Sequence, residues 1–240
     1  EIYMGDWSSD VCSSDLQWKA GVDVNLDDIL NFFPGNFSGS YTFSSLASFN
    51  SGRPTNTAAG ERYVQAFAGT GTTGATTTPD ITEIAVFLQD EWRVSKQLTV
   101  TLGARYDRQT FRQPEVQNPD PQLQAAGIDT SFLKTDGNNI APRLGLAWNP
   151  NSRLVLRAGY GLFFGRTPSI MVGTAHSNNG INVQTITFTG SQVPTYPATL
   201  PALPTGVALP RPTIFVFDND YENPEVHQAS TGFEYALDLY

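Results

Sequence analysis

Residues 81–112 read ITEIAVFLQDEWRVSKQLTVTLGARYDRQTFR, with apolar side chains at every second position on both sides of a short polar break. A period of two marks a β-strand, because successive side chains of a pleated chain point to opposite faces. Ile84, Val86, Leu88 and Trp92 share one face of the first run, while Glu83, Ala85, Phe87, Gln89, Glu91 and Arg93 share the other. After a turn near Val94, Ser95 and Lys96, Leu98, Val100, Leu102, Ala104 and Tyr106 continue the greasy face, opposite Thr99, Thr101, Gly103, Arg105 and Asp107. The stretch reads as a long antiparallel hairpin with one apolar and one mostly polar face.

The pattern repeats over residues 139–166. Leu144, Leu146 and Trp148 lead into the turn Pro150, Asn151, Ser152, and Leu154, Leu156, Ala158, Tyr160, Leu162 and Phe164 lead out. Arg143, Gly145, Ala147, Val155, Arg157, Gly159, Gly161 and Phe163 occupy the opposite face. Runs of about a dozen residues exceed the usual globular strand of about 5 or 6 and suit a tilted bilayer crossing, which takes about 9 to 11. Both hairpins turn tightly at one end, whereas their other ends join through residues 113–138 and 167–226. Short periplasmic turns and long external loops are the outer-membrane arrangement. On that reading strand 81–94 descends, 97–112 ascends, 139–149 descends, 152–165 ascends and 227–239 descends, while 18–24 ascends into an external excursion over 27–80.

The expected fold is thus all-β: an antiparallel transmembrane β-barrel fragment of about six long strands with long external loops, too few to close a large barrel. Trp18, Trp92 and Trp148 fall near the periplasmic ends of their strands and would form an aromatic girdle. Glu83, Glu91, Arg105, Arg143 and Arg157 would face the lumen as an internal ion-pair network.

Composition agrees. The 240 residues carry little charge (15%) and many aromatics (12%), a mixture that favours strands and polar loops over helices. No stretch approaches the roughly 18 consecutive apolar residues of a membrane helix, so spanning segments would be strands. A formal charge of −9 with scattered Lys and Arg argues against a nucleic-acid partner. Cys12 is the single cysteine, and His176 and His227 lack metal-ligand spacing. Residues 1–16 (EIYMGDWSSDVCSSDL) have neither signal-peptide organisation nor strand periodicity, and they resemble a spurious translation found at the broken ends of metagenome-derived sequences. The expected organisation is a non-native leader over 1–16 and a partial barrel domain over 17–240.

Among the external segments, residues 69–79 are of low complexity and 193–212 are rich in proline, so both are expected to be irregular or extended. Short strands at 41–43, 63–67, 183–188 and 213–217 would extend the wall outward, and 44–50 would form a brief helix. Asp218, Asp220 and Glu222, with Glu225 beyond, offer hard oxygen ligands for calcium, but without EF-hand spacing; the competing reading is a solvated acidic loop. No Ser, His and acid set, no paired carboxylates on one element and no phosphate-cradling glycine loop is evident, so neither enzymatic activity nor a cofactor is expected. The Gly159–Gly161 step fits a crowded strand better than a nucleotide site.

The segment FLQDEWRVSKQLTVTLGARYD (87–107) resembles a hairpin of Oar-like TonB-dependent receptors, and NNIAPRLGLAWNPNSRLVLRAGYGLFFGRTP (138–168) resembles the next. GSYTFSSLASFNSGRP (39–54) is similar to the external segment before them, and ENPEVHQASTGFEYAL (222–237) to the strand after the proline-rich loop. The resemblance covers nearly everything after Leu16. It implies a parent barrel of about 22 strands, plugged by an N-terminal domain and driven by the TonB complex of the inner membrane. No plug or TonB-contacting segment is evident in these residues. The expected partners are outer-membrane lipid, the TonB complex through other parts of such a receptor, and an unidentified ligand taken up through the external loops. The competing functions are a passive porin or adhesion barrel, and a secreted soluble β-rich module. The last requires Leu98, Val100, Leu102, Leu154 and Leu156 to pack against a second protein layer.

Overall fold

The computed structural model describes residues 16–206 and 211–237. The expected leader lies outside the described residues except for Leu16, the first residue of the first strand. In chain order the strands are β1 (Leu16–Asp27), β2 (Asn31–Phe32), β3 (Ser40–Thr42), β4 (Arg62–Ala68), β5 (Thr76–Thr77), β6 (Ile81–Ser95), β7 (Leu98–Phe111), β8 (Ile140–Asn151), β9 (Leu154–Phe164), β10 (Val183–Phe188) and β11 (Glu225–Tyr235). The helices are α1 (Leu46–Ser51), α2 (Pro121–Ala125) and α3 (Ser169–Ser177).

Six strands form one antiparallel wall in the order β1-β6-β7-β8-β9-β11, with β1 and β11 at its edges. Its four neighbours in the middle, β6 to β9, are the two hairpins read from the sequence. Each hairpin closes through a two-residue loop with a register shift just before it, between Arg93 and Ser95 and between Trp148 and Asn151. The two loops are built alike: the Ser95 hydroxyl accepts the Gln97 amide at 3.2 Å, and Asn151 Oδ1 accepts the Arg153 amide at 2.9 Å. Such side-chain acceptors two residues before an amide are what favours Ser and Asn in turns.

Cross-strand register makes the apolar face continuous. Val22 pairs with Val86, Val86 with Tyr106, Leu102 with Leu144, and Leu144 with Tyr160. Ile84, Val86, Leu88, Leu102, Leu144 and Leu146 on this face remain 39–49% exposed. No second protein layer covers them among the described residues, as the soluble-module reading requires. A water-soluble chain does not leave so large a contiguous apolar surface bare, and lipid is the solvent it fits. No helix among the described residues is long and apolar enough to cross a membrane.

The external segments depart from expectation. The short strands do not lengthen the wall: β10, β4 and β3 make a separate sheet, and β2 pairs with β5. The separate sheet encloses its own core of Tyr63, Phe67, Ile186, Phe188 and Val193. Residues 213–217, expected as a strand, are irregular, because Phe217 turns into a packed cluster instead of joining a ladder. That cluster joins Phe217, Leu133, Val172 and Ala175 to Ile81 and Phe111, which are cross-strand partners at the external end of the wall. Ile81 and Phe111 belong by parity to the polar face. The external loops and α3 therefore fold inward over the top of that face and roof it. Val172 is fully buried and Leu133 nearly so, and burying each such side chain contributes about 1.5–3 kcal/mol.

Candidate functional site: the polar face beneath the roof

The register sets polar residues of β1, β6 and β7 in rows beneath the roof. Asp23, Ala85 and Asp107 form one row, and Asn25, Glu83 and Gln109 the next. Ala85 is small and buried, so nothing separates the two aspartates above it. Arg105 lies one step below, opposite Phe87 and Ala141. Its guanidinium reaches Asp107 at 2.9 Å and, across the whole of β6, Asp23 at 3.3 Å. Glu83 takes Arg166 at 2.7 Å and the Gln109 amide at 3.0 Å. Arg157 pairs with Glu234 on β11 at 3.0 Å. Three of the five residues expected to share this face are thus in ion pairs; Arg143 instead lies over the Phe163 ring, its Cζ 4.8 Å from the centroid. Glu91 shares the face opposite Gln17 and Thr101.

Glycine on this face makes room for aromatic rings. A Cβ on Gly21 would stand 2.4 Å from the Phe87 ring, and one on Gly161 would stand 2.8 Å from the ring of Phe163. The Phe87 ring thus reaches over Gly21 of β1, and the Phe163 ring over Gly161, beneath Arg143.

Besides the apolar cluster and the Arg166–Glu83 ion pair, Thr167 fastens the roof to the wall. Thr167, 2% exposed, exchanges both backbone bonds with the Gln109 side chain: its amide donates to Gln109 Oε1 at 2.9 Å, and its carbonyl accepts from Nε2 at 3.1 Å. The Thr167 hydroxyl donates to Asn223 Oδ1 at 3.0 Å and meets the Tyr221 hydroxyl at the same distance. Asn223 in turn gives its amide to Asp136 at 2.8 Å. Three external segments are therefore tied to β7 through polar bonds, of which the two to Gln109 are buried. Within the roof His176 hydrogen-bonds the Arg112 carbonyl through Nε2 at 2.8 Å. Burial holds its pKa below the ordinary histidine value.

Between wall and roof lies a cleft of about 220 Å³, lined by Asp23, Glu83, Arg105, Asn139, Arg143, Phe163 and their neighbours. A second cleft of about 370 Å³ lies among the external segments, against Asn118, Gln122, Ile181, Thr185 and Pro212. Neither holds a catalytic set. The candidate calcium residues do not converge: Asp218 accepts the Asp220 amide at 2.8 Å, and among the described residues no three of His, Cys, Asp and Glu stand close enough to hold a metal ion.

Trp18, Trp92 and Trp148 all lie on the apolar face, 44–51% exposed. Trp92 and Trp148 each precede the register shift of their hairpin, and Trp18 pairs with Asp90. Asp90 is a residue the sequence reading passed over: it interrupts the greasy face between Trp18 and Leu102, and its Oδ1 is buried without a hydrogen-bond partner among the described residues. Its even number was the available signal. The cleft residues Asp23, Gln109, Asn139 and Arg166 were also not singled out, because register and loop folding bring them together from distant positions.

An exposed apolar face on a wall of long antiparallel strands, backed by a polar face under folded external loops, defines an outer-membrane barrel wall. Comparison with family models agrees: residues 15–239 match the outer membrane beta barrel domain, and the chain belongs to that family. Its place is therefore the outer membrane. Neither curated proteins nor solved structures give a match.

Proposed function

We propose that this wall belongs to a TonB-dependent receptor that captures a ligand at its external loops and admits it, with energy from the inner membrane, past a plug. The observation that carries the reading is the roof: a passive channel needs an open mouth, whereas here α3, Leu133 and Phe217 close over the polar face and leave a small lined cleft below. The resemblance of segments 87–107 and 138–168 to Oar-like receptors supports the same choice. On this reading Glu83, Glu91, Arg105, Arg143 and Arg157 face the lumen, Trp18, Trp92 and Trp148 form the periplasmic girdle, and the chain has no catalytic role. The partners are lipid on the apolar face, the TonB complex through a plug and contact segment encoded elsewhere in the receptor, and the ligand.

The test is the coding sequence that flanks this segment together with the energy dependence of uptake. A plug domain encoded upstream, and accumulation abolished when TonB is deleted, support the receptor. A signal peptide running directly into barrel strands, with uptake indifferent to TonB, would establish the passive barrel instead.

A further inference from the structure

One arginine of the cleft beneath the roof is left over from its ion pairs. On the polar face Arg105, Arg143 and Arg166 line it together with three carboxylates, Asp23, Glu83 and Asp107; Arg108 borders it as well, but it stands opposite Ile84 on the apolar side of the wall. The three carboxylates are all engaged by Arg105 and Arg166. Arg143 has no carboxylate partner among the described residues. Arg143 is held in place by Phe163 (4.8 Å), an arrangement that fixes the plane of the guanidinium while leaving its donors to other acceptors.

A second, independent observation lies on the same cleft. Asn139 is 1% exposed, yet its Oδ1 has no hydrogen-bond partner among the described residues. The residue is fixed on both sides: its carbonyl accepts the Asp107 amide at 3.1 Å, and its Nδ2 donates to the Asp136 carbonyl at 3.3 Å. The second bond fixes which way the amide faces, so the acceptor is the orphaned atom. A buried acceptor without a donor is unfavourable, and a ligand O–H or N–H entering beside Asn139 satisfies it.

We infer that the cleft binds a small oxyanion that also carries a hydrogen-bond donor, a hydroxycarboxylate in its simplest form. Arg143 takes the anionic oxygens with its planar fork, and Asn139 Oδ1 accepts the hydroxyl. At about 220 Å³ the cleft is smaller than drug-sized sites of roughly 300–1,000 Å³, so it admits a small acid or one acidic end group of a larger ligand. This assignment rests on the polar face being the lumen of a ligand-capturing receptor, and it names the ligand class of that same site.

The experiment is calorimetric titration of the full-length receptor that contains this wall, in detergent micelles, with L-malate, with succinate, which has the same carboxylates without the hydroxyl, and with inorganic phosphate. Malate should bind saturably and more tightly than succinate by about three- to ten-fold, the worth of one net hydrogen bond. Phosphate matching malate would assign the oxyanion to a phosphoryl group within the same class. Arg143→Gln should weaken malate at least about ten-fold, Arg143→Lys should fall between it and the unmodified protein, and Asn139→Ala should erase the preference for malate over succinate. Heat-modifiable gel mobility of each variant shows that the wall has folded. Absence of saturable binding at millimolar concentration, equal affinity for malate and succinate, or unchanged binding in a folded Arg143→Gln variant would overturn the inference. The outcomes are separable from those of the transport reading: binding in micelles needs no TonB, so a bound anion without energy-dependent uptake sinks transport alone, and uptake of another ligand with an indifferent cleft sinks this assignment alone.

Discussion

Replacing Gln109 by Leu keeps the size of the side chain and removes the polar fastening of the roof at Thr167. The Thr167 amide and carbonyl, bonded to Gln109 at 2.9 and 3.1 Å, would both lose their partners at a residue 2% exposed. Each buried backbone group left unpaired costs about 1–3 kcal/mol, so the substitution should destabilise this junction by about 2–6 kcal/mol. The bond to Glu83 adds little to the loss, because Glu83 keeps Arg166 at 2.7 Å. The penalty falls on the roof and not on the wall, whose ladders are untouched, so the expected response is local opening before global unfolding. Hydrogen exchange followed by mass spectrometry reads it directly: amides of residues 166–177 should lose protection by roughly 1.5 to 4 orders of magnitude, at about 1.4 kcal/mol per ten-fold, while β7 and β8 exchange as before. If the Thr167 amide stays as protected in Gln109→Leu as in the unmodified chain, the junction is not where the roof is held.

Three further outcomes are expected. Leu102→Arg, on the apolar face, should cost about 2–4 kcal/mol of stability in lipid, whereas Thr101→Arg on the opposite face and Arg105→Ala within the ion-pair network should cost clearly less; denaturant titrations in liposomes would compare them, and equal tolerance refutes the face assignment. Gly21→Ala should destabilise by about 1–3 kcal/mol because its Cβ meets the Phe87 ring, and adding Phe87→Ala should remove most of that penalty in the same measurement. In the separate external sheet, Glu61 accepts the Ser44 hydroxyl at 2.5 Å and the Asn56 amide at 2.8 Å, which hold its pKa down at about 2. A depressed carboxylate stabilises the fold above its unfolded pKa of about 4.3, and that contribution is lost as pH falls toward 2. Exchange protection of segment 44–61 should therefore drop between pH 5 and pH 2, and Glu61→Gln should flatten the dependence.

The wall was legible because its information is local. Alternation in residues 81–112 and 139–166 sets which side chains share a face, and the Ser95 and Asn151 turns close the hairpins without reference to the rest of the chain. Parity also placed Glu83, Arg105 and Arg157 on one face, but their ion pairs run to Arg166, to Asp23 and Asp107, and to Glu234, not to one another. What escaped the sequence is non-local. Nothing in the spacing of Ile81 and Phe111 tells that loops will cover them, since an apolar residue at a strand end looks the same bare or roofed. Residues 213–217 have strand-like composition, but Phe217 gains more by entering the cluster with Phe111 and Val172 than a ladder would return. The cleft depends on Arg105 spanning β6 and on Asn139 arriving from the end of another loop, relations fixed by register and tertiary folding.

The central claim is that the apolar face touches lipid while the polar face does not. Fluorescence quenching by brominated phospholipids tests it most directly, in a Trp7→Phe background that leaves Trp18, Trp92 and Trp148 as the tryptophans. The account predicts strong quenching from bromines placed near the headgroup and weaker quenching from bromines at the acyl-chain ends, as for side chains in an interfacial girdle. It also predicts efficient quenching at the acyl-chain ends for a single tryptophan substituted at Leu102, and little for one at Thr101. Quenching at position 101 equal to that at 102, or none at all from any bromine position, would contradict it.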